Sequence, residues 1–476
     1  MALFSQSSIS FETCSSSDDL DPDSPQMTLR EQGAIVFITG ASESKRFLFE
    51  AARRVGLDII IIDSEESAGR QLVSQGVADQ FMPVVLDSDV SIAANQCYSL
   101  IRSLEVPVRG VVTFMEMSVY LASKVAELCG FPGLSSASVA IARDKRWTRQ
   151  VTSEAGLPSP AVYSITSVAD IDRAAEHVGF PAVLKPIVGA DSLGVKRVDT
   201  TEELRVAFDE ALKIMCSVVI SAGFLSCPSN AAPITPSGLP MEFLLEEYLD
   251  GPEVDIDLLM YRGQCYYSAV SDNGQTVEPY FTETYGVLPS LLPVEDQAML
   301  IRLAVDSAQA IGLASGVFHV EAKLTSRGPR LIEINARLGG GPVCEMHKRV
   351  SKIDLAYEQV RLAAGLPPSF KAPLSHTFQG SFAYMTTNAT ASGRVGPKMD
   401  FLESFRVMPL VDKISCRVVP GDMIVGPEQG QPTWLTEIWM EAACPKKSQE
   451  LVDEICKVSD KIAEQFALNY DPICLL

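Results

Sequence analysis

The chain lacks most of the features that would assign it to a membrane, zinc, disulfide or nucleic-acid class. No stretch of 18 or more apolar residues occurs in its 476 residues, so no membrane-spanning helix is expected. No charged-then-apolar leader opens it, and the ending Cys474-Leu-Leu476 fails the prenylation pattern. Only four histidines are present, and the eleven cysteines form no CxxC pair. That usage points to reduced thiols of the cytoplasm, not to disulfides or zinc. Lys and Arg number 39 against 60 Asp and Glu, giving a net charge of −21 with no basic stripe. Nucleic acid and anionic membrane surfaces are therefore not expected partners. The phosphate loop of GKS or GKT type is missing, as is G-x-G-x-x-G spacing. A dinucleotide site at Thr39-Gly40-Ala-Ser42 with Asp63 is a minor reading for that reason.

What is present is a globular composition, 47% hydrophobic, long enough for about three domains. Residues 1–32 are rich in Ser and Asp with little periodicity, and are expected as a disordered tail. Residues 33–137 repeat short apolar strands, at 34–39, 57–63 and 110–114, with helical stretches between them. Alternation of that kind predicts a parallel sheet with helices on its faces, a Rossmann-like arrangement. One helix is expected over residues 138–155, stopped by Gly156-Leu-Pro-Ser-Pro160 at the entry to a core domain spanning 138–370. Residues 371–476 are expected as a C-terminal cap, closing on a helix near 447–468 with Leu451, Ile455, Val458 and Ile462 on one face.

Chemistry concentrates in Gly316-Val-Phe-His-Val-Glu-Ala-Lys-Leu-Thr-Ser-Arg-Gly-Pro-Arg-Leu-Ile-Glu-Ile-Asn-Ala-Arg337. The pattern predicts two strands joined at Ser326-Arg327-Gly328-Pro329, with Phe318, Val320, Ala322 and Leu324 on one face. Ile332, Ile334 and Ala336 are expected on the matching apolar face of the second strand. A hairpin centred near Arg327 places Glu321 across from Glu333, about 5 Å apart and mutually repelling. A cation between them relieves the repulsion, and with Asn335 they offer the hard oxygen ligands that Mg²⁺ or Mn²⁺ takes. A solvated charged face is the plainer reading of the same pattern. Arg337, one pleat on, suits a phosphate or carboxylate.

Upstream, Ala182-Val-Leu-Lys185 is a short strand ending in Lys before the small-residue loop from Gly189 to Gly194, which contains Ser192. Small residues let backbone amides approach phosphate oxygens. Phe243-Leu-Leu-Glu246-Glu247-Tyr-Leu249 runs through a turn into a second strand from Glu253, a segment able to meet an adenine edge and a ribose. Asp144-Lys145 lies in a stretch that also reads as an ordinary charged helix face.

In this order, Asp144-Lys145, Leu184-Lys185 with its loop, Glu246-Glu-Tyr-Leu249, Glu321, and Glu333-Ile-Asn335-Ala-Arg337 followed by Gly339-Gly-Gly341, the motifs resemble the ATP-grasp superfamily. They are most similar to its carboxylate–amine ligases, of the carnosine-synthase and bacterial dipeptide-synthase type. The resemblance implies an ATP-grasp fold of α/β and α+β parts behind an N-terminal Rossmann-like domain. It implies that Lys145 and Lys185 contact ATP phosphates, that Ser192 and nearby amides cover them, and that Glu246, Glu247 and Leu249 read adenine with Glu253 on ribose. Glu321, Glu333 and Asn335 would hold Mg²⁺, two ions being expected, and Arg337 would orient the reacting carboxylate. The implied reaction joins a carboxylate, expected to be an amino acid, to an amine through an acyl phosphate. Activation of bicarbonate and a non-catalytic nucleotide-binding module are the alternatives; no biotin-carrier Met-Lys-Met signal is present. A reactive intermediate needs cover from water, and both the loop at Gly189 and residues 221–240 are candidates. Glu283 is a candidate for a substrate ammonium, and a homodimer is left open.

Overall fold

A computed structural model describes residues 33–86, 89–189, 192–217, 241–371, 378–427 and 431–471. The expected N-terminal tail and the 221–240 segment lie outside the described residues.

The strands Ala34–Ile38, Asp58–Asp63, Gln80–Pro83 and Val108–Val112 form a parallel sheet in the order 80–83, 58–63, 34–38, 108–112. Their continuous Ile and Val runs follow from burial on both faces, since helices cover a parallel sheet on each side. Ala34, Ile35, Val36, Ile38, Ile59, Ile61 and Ile62 have no exposed surface. Helix Arg46–Val55 stops at Gly56 in the left-handed conformation, and Val90–Arg102 starts where the Asp89 side chain accepts from the Ser91 and Ile92 amides. The carboxyl ends of the inner strand 34–38 and of the edge strand 108–112 lead into 39–45 and 113–118, the two loops that approach the site described below.

Two larger antiparallel sheets follow, beside a three-stranded one of Met423–Ile424, Gly393–Val395 and Tyr470–Asp471. The smaller runs Val162–Ile165, Phe243–Glu247, Ala182–Pro186, Lys196–Val198, with the helices Ile171–Val178 and Thr201–Ser217 packed on it. The larger has eight strands: Gly328–Asn335, Gly316–Thr325, Glu253–Tyr261, Gln264–Asn273, Tyr285–Leu288, Ser381–Asn388, Trp434–Ala442 and Val411–Cys416. The C-terminal residues expected as a cap thus supply three of its strands, together with the helix Ser448–Leu468, whose Leu451, Ile455, Val458 and Ile462 are fully buried as their spacing predicts.

Two local expectations are corrected. The single helix over 138–155 is two helices, Ser136–Arg143 and Lys145–Glu154, because Asp144 turns extended and caps the second through the amides of Arg146 (2.9 Å) and Trp147 (3.1 Å). In the 316–335 hairpin a bulge after Glu321 pairs Ala322 with Leu331, so Leu331 takes the buried place expected for Ile332.

The first sheet docks on the core through Gly110. A Cβ there would lie 1.9 Å from the Ala363 carbonyl oxygen at the end of helix Leu355–Ala363, and backbone cannot swing aside. Gly110→Ala should therefore cost about 1–3 kcal/mol, as overpacking does. A denaturant titration reads this as an earlier midpoint; an unchanged midpoint would mean the two layers separate easily.

Candidate active site

The hairpin register sets Glu321 opposite Glu333 and His319 opposite Asn335, and the neighbouring strand continues the rows with Asp255 beside Glu321 and Asp257 beside His319. Three carboxylates on three adjacent strands thus share one row of a single sheet face. Burial and the charges of Glu333 and Asp255 push the Glu321 carboxyl well above the ordinary carboxylate range. Burial also opposes ionisation of Glu333, but Lys145 outweighs it, so Glu333 stays below that range. The Lys145 Nζ lies 2.7 Å from Glu333 Oε2, and the Asn335 amide donates to Glu321 Oε1 at 3.3 Å. Lys145 is buried here and not on a solvated helix face.

Lys185 and Glu246 are both buried and joined at 2.5 Å. Arg149, one turn along from Lys145, closes on the same carboxylate with Nε and Nη2 at 2.8 and 3.1 Å. Its Nη2 also donates to the Ile332 carbonyl at 2.7 Å, the group that the bulge turns outward. Burial lowers the pKa of Lys185, with Glu246 acting against it. Glu246 is held below the usual range by Arg149 and Lys185 despite its burial. Its side chain therefore anchors cations, and the backbone of its strand is paired on both sides, with the Glu247 and Tyr248 amides donating to the Ala161 and Pro181 carbonyls at 2.9 and 3.2 Å. The Glu247 carboxylate accepts from the Ala161 amide (3.3 Å) and pairs with Arg327, while the Leu249 carbonyl accepts from Lys323 at 3.3 Å. Glu253 faces Lys323 at 3.8 Å, and burial raises its pKa. Ser192 sits in the left-handed region, φ 54°, in the loop after Lys185.

Arg337 leaves the hairpin toward the first domain. Its Nε donates to Glu116 Oε2 at 2.7 Å, and Nη1 to the Leu338 carbonyl at 2.9 Å. Arg143 approaches the other Glu116 oxygen at 3.5 Å. Lys45 is bound to the Met115 sulfur, and burial followed by the Arg337 charge lowers its pKa. Sequence reading missed Lys45, Glu116, Arg143 and Arg149, whose roles depend on partners 27 to 221 positions away.

It also missed a buried chain under the hairpin. Asp257 accepts from His319 Nδ1 (3.0 Å) and His347 Nε2 (2.8 Å), and His347 Nδ1 meets the Tyr267 hydroxyl at 2.6 Å. Above it, a Cβ on Gly339 would lie 2.8 Å from His319 Nδ1. The glycine following Arg337 is thus required by the imidazole beneath. Glu283 is exposed on the loop after Asn273.

Among the described residues no three His, Cys, Asp or Glu side chains stand in ligand geometry together. The donor set at the hairpin is two carboxylates and an amide, all able to offer hard oxygen. Glu321 and Glu333 face each other in one row with Asp255 beside them, so the residues fit a divalent cation. Every described cysteine is unpaired, and no described helix is long and apolar enough to cross a membrane.

Comparison with known proteins agrees with this geometry. The ATP-grasp domain model matches residues 178–345, and the ATP-grasp N-terminal domain model matches residues 49–133. Carnosine synthase 1 of Gallus gallus is 34% identical over 354 residues, 72% of this chain but 36% of that protein. The alanine–anticapsin ligase of Bacillus subtilis (strain 168) is 28% identical over 254 residues, 52% of each chain. The crystal structure of L-amino acid ligase from Bacillus licheniformis superposes with a TM-score of 0.73 at 21% identity, over 90% of this chain and 97% of that one. The chain spans little more than a third of the carnosine synthase it matches. The fold is ATP-grasp.

The charge pattern carries a pH consequence. A carboxyl whose pKa is higher folded than unfolded stabilises the fold at low pH, and that contribution is lost as pH rises from its ordinary value, about 4.5, through the raised one. Without divalent cation, wild type should thus lose melting temperature relative to Glu321→Gln as pH rises from about 5 to 8. Mg²⁺ with ATP should narrow the gap. Parallel melting curves for the two proteins at all pH values would show that Glu321 ionises freely.

Proposed function

From an ATP-grasp chain with a facing pair of acidic residues, we propose an ATP-dependent ligase that joins a carboxylate, of amino-acid type, to an amine. The observation that carries the reading is Glu321 against Glu333 in one row, with Lys145 on one side of the pair and Arg337 one pleat past Asn335. The named activities of carnosine synthase 1, alanine–anticapsin ligase and L-amino acid ligase support the substrate class.

In this reading Lys145 and Lys185 contact the ATP phosphates, and Ser192 with its neighbouring amides covers them. Glu246, Glu247 and Leu249 read adenine, and Glu253 holds the ribose. Glu321, Glu333 and Asn335 hold Mg²⁺, as two ions, and the metal when bound offsets the charge of the triphosphate. Arg337 binds the carboxylate to be activated, with Glu116 fixing the plane of its guanidinium. The carboxylate oxygen attacks the γ-phosphorus and the bond to ADP breaks. The amine nitrogen then attacks the acyl carbon and the carbon–oxygen bond to phosphate breaks, the amine proton leaving with phosphate. Both steps bring anions or a water-sensitive acyl phosphate into a site that needs fixed cations and cover.

Incubation with ATP, Mg²⁺ and amino-acid pairs should release ADP and phosphate and form amides detectable by mass spectrometry. Glu333→Gln should lower turnover about a hundredfold or more with the melting transition retained. Arg337→Lys should fail similarly, because a point charge cannot reproduce the fork. Amide formation at near-normal rate in either variant would remove that residue from the site, and ADP release independent of any carboxylate would overturn the ligase reading.

A further inference from the structure

The parallel sheet of the first domain reverses its strand order at strand 34–38. From there the chain goes to one side for 58–63 and 80–83, and it returns on the other side for 108–112. At such a reversal the loops leaving the two carboxyl ends part to opposite faces, and the crevice between them is where open parallel sheets take ligands. Here the loops are 39–45 and 113–118. Helix Arg46–Val55, after the first, shares a core with Ile35 and Phe37, and helix Val119–Cys129, after the second, with Val36 and Ile38 of the other face. The two loops are tied together at the mouth. The Thr39 hydroxyl donates to Ser118 Oγ at 2.7 Å, and Met115 packs on the bare backbone of Gly40, where a Cβ would lie 2.7 Å from its Cγ.

Lys45 closes the first loop and donates to Met115 Sδ at 2.7 Å. Sulfur is a weak acceptor and carries no charge to balance the ammonium. Glu116, the residue after Met115, turns instead to Arg337 at 2.7 Å and to Arg143 at 3.5 Å. Among the described residues Lys45 has no carboxylate partner. Burial lowers its pKa, and the Arg337 charge adds to the effect, so two cations face one mouth with no acid between them. The case is the converse of Glu321 against Glu333: a pair of carboxylates calls for a cation, and this pair of cations calls for an anion. Arg337 spends Nε on Glu116 and Nη1 on the Leu338 carbonyl, leaving Nη2 without a bond among the described residues. A carboxylate meeting Nη2 still has an oxygen for a second donor.

We infer that Lys45 is a second substrate-binding cation, with the carboxylate of the acid substrate lying between its ammonium and Arg337 in the mouth of the first domain. The inference rests on the ligase reading above and names the residue through which the first domain takes part in binding the acid.

Hydroxylamine turns an acyl phosphate into a hydroxamate and so reports activation of the acid without an amine substrate. With the full-length protein, Mg²⁺ and saturating ATP, hydroxamate formation is followed against concentration for a panel of amino acids. Lys45→Met keeps the length of the side chain and removes its charge. It should raise KM for the acid about tenfold or more, by a similar factor for every acid, as loss of a charge-assisted hydrogen bond does. KM for ATP should stay unchanged, since ATP meets Lys145 and Lys185 in that reading. Without ligands the variant should melt at or above the wild-type temperature, because burial and Arg337 both disfavour the charge it removes. A lysine with only a structural role would lower that temperature. An unaltered acid KM, a rise confined to acids carrying a second carboxylate, an equal rise in KM for ATP, or a lower melting temperature would overturn the role of Lys45. Absence of hydroxamate from wild type with every acid would instead overturn the ligase reading.

Discussion

Mutual repulsion between Glu321 and Glu333 is the constraint on which the rest of the site is arranged. The hairpin register forces the two carboxyls together, and the adjacent strand adds Asp255 to the same row. Left alone, such a row resists folding. Lys145 meets one member, Asn335 donates to another, and burial with the neighbouring charges raises the Glu321 pKa. The protein thus carries a local charge defect, which a divalent cation between the carboxylates would relieve.

Each layer contributes a cation to the surroundings of this defect. The small sheet brings Lys185, the split helix brings Lys145 and Arg149, and the first domain brings Lys45 with Glu116. A chain of net charge −21 assembles a cationic rim from residues far apart in sequence. Burial keeps the rim effective, since buried charges escape the screening that solvent and salt impose at a surface. The Asp257 carboxylate with its two imidazoles supports the floor of the same site and fixes the backbone just after Arg337.

The acidic hairpin was legible from sequence because period-two alternation around a short turn determines both faces and register at once. Glu321 opposite Glu333 follows from that arithmetic, while the bulge that replaces Ile332 by Leu331 does not, since nothing local marks it. The parallel sheet was readable from its uninterrupted Ile and Val runs, which tolerate burial on both sides. Helix 138–155 misled because its propensity is continuous, and Asp144 breaks it only by turning its side chain onto the next turn's amides. Glu246 was read as a nucleotide contact from its place in a motif. Its ion pairs with Lys185 and Arg149 depend on partners 61 and 97 positions away, which no local pattern encodes. Glu116 was missed for the same reason, lying 221 positions from Arg337.

Arg149 grips the small sheet through Glu246 and the large sheet through the outward carbonyl of Ile332. The same seam is crossed by Arg327 on Glu247, Lys323 on the Leu249 carbonyl and Arg197 on Glu278. Four cationic side chains thus rivet the two sheets along one line, and of these Arg149 is the one whose loss would take a partner from a buried carboxylate.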